Sequence, residues 1–127
     1  AAFSKTAGAT SHAFQIGFGG TATLNSIAYD VLLNSSATSF AQFNSVNGSN
    51  GFIQTASATT LTTNASAPLY HSIFYAGVVS INAGGTFIPQ YTLSVAPGGA
   101  YTTTTNSYMK IYPVGASGAN TSVGTWA

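Results

Sequence analysis

The side chains able to do acid–base or metal chemistry are few: one carboxylate, Asp30, two lysines, Lys5 and Lys110, and two histidines, His12 and His71, with no cysteine. Glycoside hydrolysis by paired carboxylates needs two acids, and Asp30 stands alone. A Ser-His-Asp arrangement can be written down from the many serines, either histidine and Asp30, but no serine sits in a nucleophile-elbow motif. A metal site would have only positions 12, 30 and 71 to draw on. His71 shares a face with Leu69, Ile73 and Tyr75, which predicts a buried, hydrogen-bonded imidazole rather than a ligand. Asp30 is expected to accept hydrogen bonds in a sheet or to pair with a lysine. The expectation is a non-enzyme with no catalytic residue, no metal and no cofactor.

The same scarcity of charge excludes other classes. Charged residues are 2% of the 127, against about 25% in an average soluble domain. Two separated lysines make no phosphate-binding patch, so nucleic acid and anionic membrane surfaces are not expected partners. Apolar runs such as Ile73 to Val79 fall well short of the ~20 residues a spanning helix needs. Ala1 to Lys5 lacks the apolar stretch of a secretion signal, and the missing initiator Met suggests a processed chain or a piece of a longer one. Without cysteine, stability is expected from packing or from oligomerisation.

The elements that would carry these residues read as strands. Large apolar residues fall at Phe14, Ile16 and Phe18, then at Ile27, Tyr29, Val31 and Leu33 with Asp30 on the opposite face. Thr86 to Val95 sets Phe87, Pro89, Tyr91, Leu93 and Val95 against Ile88, Gln90, Thr92 and Ser94. Pro89 has no N–H to give a ladder, which predicts an edge position or a bulge. Leu69 to Ile81 is apolar on both faces, the pattern of a central strand covered twice. Asn82 to Gly85 reads as a hairpin connection, and Asn47-Gly48, Asn50-Gly51, Pro97-Gly98-Gly99 and Gly115 to Gly118 as turns. No helical stripe is visible. About eight antiparallel strands in one domain, residues 1–127, predict an all-β sandwich or jelly roll, with irregular arms at about 1–11 and 115–127.

Two weaker signals remain. Asn34, Asn47, Asn64 and Asn120 each fit the glycosylation acceptor pattern, as chance produces in a Ser- and Thr-rich chain. Tyr101, Tyr112 and Trp126 lie near turns or the tail, where aromatic rings can stack on sugars; Tyr101 and Trp126 are the candidate glycan contacts. Packing against a partner subunit is the competing expectation for these rings.

The run from Gly77 to Pro97 has a strand ending in Asn82-Ala83-Gly84, a Gly85-Thr86-Phe87-Ile88-Pro89-Gln90 strand and an Ala96-Pro97-Gly98 loop; Ser107-Tyr108 to Pro113 follows as a last strand. This order resembles the C-terminal part of virion structural proteins of tailed bacteriophages, particularly aquatic ones. The resemblance covers about the C-terminal third by motif and the rest only by composition and strand rhythm. It implies a compact jelly roll, similar in outline to tumour-necrosis-factor-like trimers, of the kind found in head decorations, tail fibres and spikes. It further implies a homotrimer that contacts other virion proteins, such as the major capsid protein or the tail, after assembly in the host cytoplasm. A host surface glycan is a further candidate partner. Few charges would make such an assembly insensitive to salt. Candidate subunit-interface residues are Tyr70, Phe74, Tyr108 and Tyr112, with filling of the core as their alternative role. The other functional expectations are a pilus or surface-filament subunit exchanging a terminal strand, and a free-standing carbohydrate-binding module.

Overall fold

In the computed structural model, the described residues are 1–6, 10–36, 49–63, 65 and 70–114. They contain no helix and eight strands: β1 (Ala2–Lys5), β2 (Phe14–Gly19), β3 (Thr23–Ser36), β4 (Ser49–Ile53), β5 (Thr59–Thr62), β6 (Tyr70–Ala83), β7 (Ile88–Leu93) and β8 (Tyr101–Thr103). All pairings are antiparallel. One sheet has five strands in the order β4-β3-β6-β1-β8, the other three in the order β5-β2-β7. The first strand pairs with the last, the second with the seventh and the third with the sixth, a nested arrangement.

The core lies between the two sheets, which makes the fold a β-sandwich. The alternation in β3 puts Ile27, Tyr29, Val31 and Leu33 inward and buried, while Asp30 is exposed on the other face. The three-stranded sheet answers with Phe14, Ile16 and Phe18. Phe18 meets Tyr29 and Tyr75 edge-on across the gap, at centroid distances of 5.2 and 5.7 Å, and stacks on Phe87 at 4.7 Å. Such aromatic pairs add specific geometry to the burial that drives the sheets together. Pro89 stands on β7, an edge strand of its sheet, where a missing N–H costs no ladder bond.

Close approach explains one glycine in the long β3–β6 ladder. Gly77 is paired with Tyr29, and a Cβ there would run into the Ala28 carbonyl oxygen and the Tyr29 Cβ. Gly20 (φ 116°) turns the chain out of β2. The chain then crosses to β3 beside the crossing from β6 to β7: Ala22 N donates to the Thr86 carbonyl at 3.0 Å, and Thr21 and Thr86 exchange backbone-to-hydroxyl bonds of 3.0 Å.

Several sequence expectations are corrected. Ala2–Lys5 is not an irregular arm but a strand between β6 and β8; four residues are too few for periodicity to declare, and its partners lie about seventy and a hundred residues away. Asn82 to Gly85 is not a hairpin, because β6 and β7 belong to different sheets. Asn50-Gly51 lies inside β4 rather than in a turn. Ser107 to Pro113 forms no strand; Ser107 instead ties the chain to Ala2, whose N–H donates to its hydroxyl at 3.0 Å. β6 is central, but among the described residues it is covered on one face only, the second sheet lying against its inward side. Residues 115–127, the turns at Asn47-Gly48 and Gly115 to Gly118, and Leu69 lie outside the described residues.

Candidate functional site

Two features collect the residues that stand out chemically. The first is inside the sandwich, where β1, the segment before β2, β3, β6 and β8 bring Lys5, His12, Ser35, His71 and Tyr101 together. In-phase alternation from Leu33 carries Ser35 inward, opposite His71 in the β3–β6 register. His71 has no exposure; its Nδ1 is 2.7 Å from Ser35 Oγ and its Nε2 2.8 Å from Tyr101 Oη. Its ring stacks on Phe14 at 4.7 Å.

Charge around this imidazole is one-sided. Lys5, itself buried, donates from Nζ to the Ala65 carbonyl and stands 5.2 Å from the centre of the Tyr101 ring. Burial, then the positive charges of Lys5 and His12, push the His71 pKa down to about 4, so the ring is neutral near pH 7. A neutral imidazole has one N–H, so one of the two hydroxyls donates to it and the other accepts from it. Burial pushes the Tyr101 hydroxyl up to about 12 and lowers the Lys5 ammonium from its usual range. His12 is also buried; its Nδ1 meets the Thr10 carbonyl at 2.7 Å, and its Nε2 has no hydrogen-bond partner among the described residues.

A serine on a histidine invites a nucleophilic reading, but the third member of such a triad is a carboxylate that orients and charges the ring. Asp30 projects from the opposite face of β3, away from His71. Ser35, His71 and Tyr101 form a hydrogen-bonded chain through the core that ties β3, β6 and β8 together. The expected buried, hydrogen-bonded His71 is found. The convergence of Lys5 and His12 on it was not legible, because neither alternation nor spacing links residues 5, 12, 71 and 101. Among the described residues no three His, Asp or Glu side chains gather as a metal site would require.

The second feature is on the outside. The outward positions of β3, β4 and β6 form one apolar field: Ala28 beside Val78, Leu32 beside Phe74, and Asp30 between Ala76 and Phe52. Phe52, Phe74 and Val78 are 63%, 67% and 63% exposed. Asp30, Leu32, Gly51 and Phe74 border a shallow depression there. Around this field the outward residues are polar: Ser26, Asn34, Ser72 and Ser80. An apolar field with a polar rim on a sheet face is the form an interaction surface takes.

A separate exposed stretch follows β8. Tyr108 and Tyr112 are 75% and 69% exposed, and Ile111 and Val114 are exposed beside them. Lys110 Nζ is 5.6 Å from the Tyr108 ring centre. Tyr108 also borders the groove between the sheets, with Ile73, Tyr75 and Tyr91, on the core side of the five-stranded sheet.

The four interface candidates are therefore not one patch. Tyr70 and Phe74 are in phase on the outer face of β6, Tyr70 half-buried between Ser4 and Ser36, whereas Tyr108 and Tyr112 lie on the chain beyond β8. Tyr101 is corrected as a glycan contact: it is buried, and its hydroxyl and ring face are engaged by His71 and Lys5. Trp126 lies outside the described residues, as do Asn47, Asn64 and Asn120; Asn34 is within β3. No family model matches the chain, and neither a curated protein nor a solved structure matches it.

Proposed function

We propose that the chain is a structural domain of a bacteriophage virion, a capsid decoration protein or a part of a tail fibre or spike, that packs against copies of itself as a trimer and against neighbouring virion proteins. The observation that carries this reading is the exposed apolar field of Leu32, Phe52, Phe74 and Val78 on a chain with almost no charge. A lone domain in water gains nothing from such a field, whereas a subunit buries it. The motif order from Gly77 to Pro113 supports the phage assignment, and the nested strand pairing supports a jelly-roll relationship. Assembly by donation of the N-terminal strand has less support, because β1 already fills the place between β6 and β8 in its own sheet.

Protein identification on gradient-purified phage particles tests the proposal. The chain is expected among the particle proteins in multiple copies. Recovery only in cell-surface filaments, or only as free monomer, would overturn it.

A further inference from the structure

We propose that the outer face of the five-stranded sheet around Asp30 is the docking site for the Tyr108–Val114 segment of a second copy of this chain, with Lys110 seated against Asp30. The inference rests on the self-assembling reading above and names its contact.

Asp30 is the only Asp or Glu in the 127 residues, and Lys5 and Lys110 are the only Lys or Arg. Lys5 is buried inside the sandwich, which leaves Lys110 as the one lysine or arginine available at the surface. Each of these charges is set among exposed apolar side chains. Asp30 lies between Ala76 and Phe52 across the strands, with Leu32 and Phe74 bordering the same depression. Lys110 is flanked by Tyr108, Ile111, Tyr112 and Val114, all exposed.

An apolar partner covering this face would strip water from the Asp30 carboxylate, which is costly unless a cation arrives with it. Within copies of the same chain, the surface lysine that arrives inside an apolar, aromatic segment is Lys110. The two halves of the contact occupy different sides of one molecule. Asp30 and Phe74 point away from the core, whereas Tyr108 borders the groove on the core side of that sheet. Pairing therefore joins two copies. Reach is sufficient: seven extended residues span about 23 Å, and β4, β3 and β6 together measure about 10 Å between outer strand axes. The contact joins one patch to a different patch, so it closes into a ring, such as a trimer, or continues as an open chain.

Sedimentation equilibrium of the whole chain and three variants tests this. The wild type is expected to associate. Asp30→Lys and Lys110→Asp, both at exposed positions, are each expected to weaken association about tenfold or more. An equimolar mixture of the two single variants is expected to recover association in part: contacts between unlike copies are matched, whereas a ring of three leaves one contact between like copies mismatched. In the matched contacts the Lys110 retained by the first variant meets the Asp30 retained by the second, and the two substituted positions also present opposite charges to each other. The double variant, Asp30→Lys with Lys110→Asp, restores the pair in reversed sense and is expected to associate as the wild type does. Association unchanged by either single reversal would overturn this contact and leave self-assembly standing. Weakening that neither the mixture nor the double variant relieves would also overturn the pairing. A wild type that stays monomeric at every concentration would overturn the self-assembling reading itself, and the contact with it.

Discussion

Lowering the pH puts a proton on His71 only at the expense of the fold. In the native chain its pKa is held at about 4, first by burial and then by the positive charges of Lys5 and His12. In the unfolded chain it returns to its ordinary value of 6.5. Between those values the unfolded state binds a proton that the native state refuses, so stability falls as pH falls. The contribution is complete above about 6.5, declines by about 1.4 kcal/mol per pH unit, and levels off below about 4, where both states are protonated. Across the window the loss is about 3 kcal/mol, a large part of the roughly 5–15 kcal/mol typical of a domain. Urea unfolding at a series of pH values from about 7 to about 4 measures it through the transition midpoint. The His71→Gln variant, which has no titrating ring, is expected to be less stable at neutral pH and to lose most of the slope. A wild-type midpoint that stays constant across this window would refute the assignment of a neutral, buried imidazole.

Further outcomes follow from the same packing. At high pH the sign reverses: the Tyr101 hydroxyl is raised from 10.0 to about 12, so its contribution is whole below about 10 and is lost as pH rises through about 12. Tyr101→Phe is expected to reduce this alkaline loss in the same unfolding assay. Phe14→Ala removes a fully buried ring that touches Phe3, His71, Tyr91 and Tyr101, and is expected to cost about 3–5 kcal/mol in urea titrations. Gly77→Ala puts a methyl against the Ala28 carbonyl and Tyr29, and a loss of about 1–3 kcal/mol is expected from forced separation of β3 and β6. With so few charges, the thermal midpoint should move little between about 0.01 and 0.15 M salt; a marked salt dependence would point to charge interactions not accounted for.

Alternation declares correctly what lies within its scope: the inward set Ile27, Tyr29, Val31 and Leu33, the outward Asp30 and the buried His71. Each depends on a side chain's phase within its own strand, which sequence carries directly. The missed features depend on partners far along the chain. β1 is four residues whose strand character comes from β6 and β8, and the run from Asn82 to Gly85 looks like a hairpin until β6 and β7 are assigned to different sheets. Apolar residues on both faces of β6 imply cover on both sides. The pattern does not distinguish a third layer of the same domain from a surface left for another molecule. Tyr101, beside a glycine-rich turn, reads as exposed, yet β8 delivers it to the His71 ring.

Imaging of intact particles, with the copies of this domain located on them, tests the proposed virion role most directly. Sandwich-sized densities are expected in symmetric clusters on the capsid surface or the tail, with the Phe74 face covered by a neighbour. Particles that lack the domain altogether, or that carry it as isolated copies with that face open to solvent, would contradict the proposal.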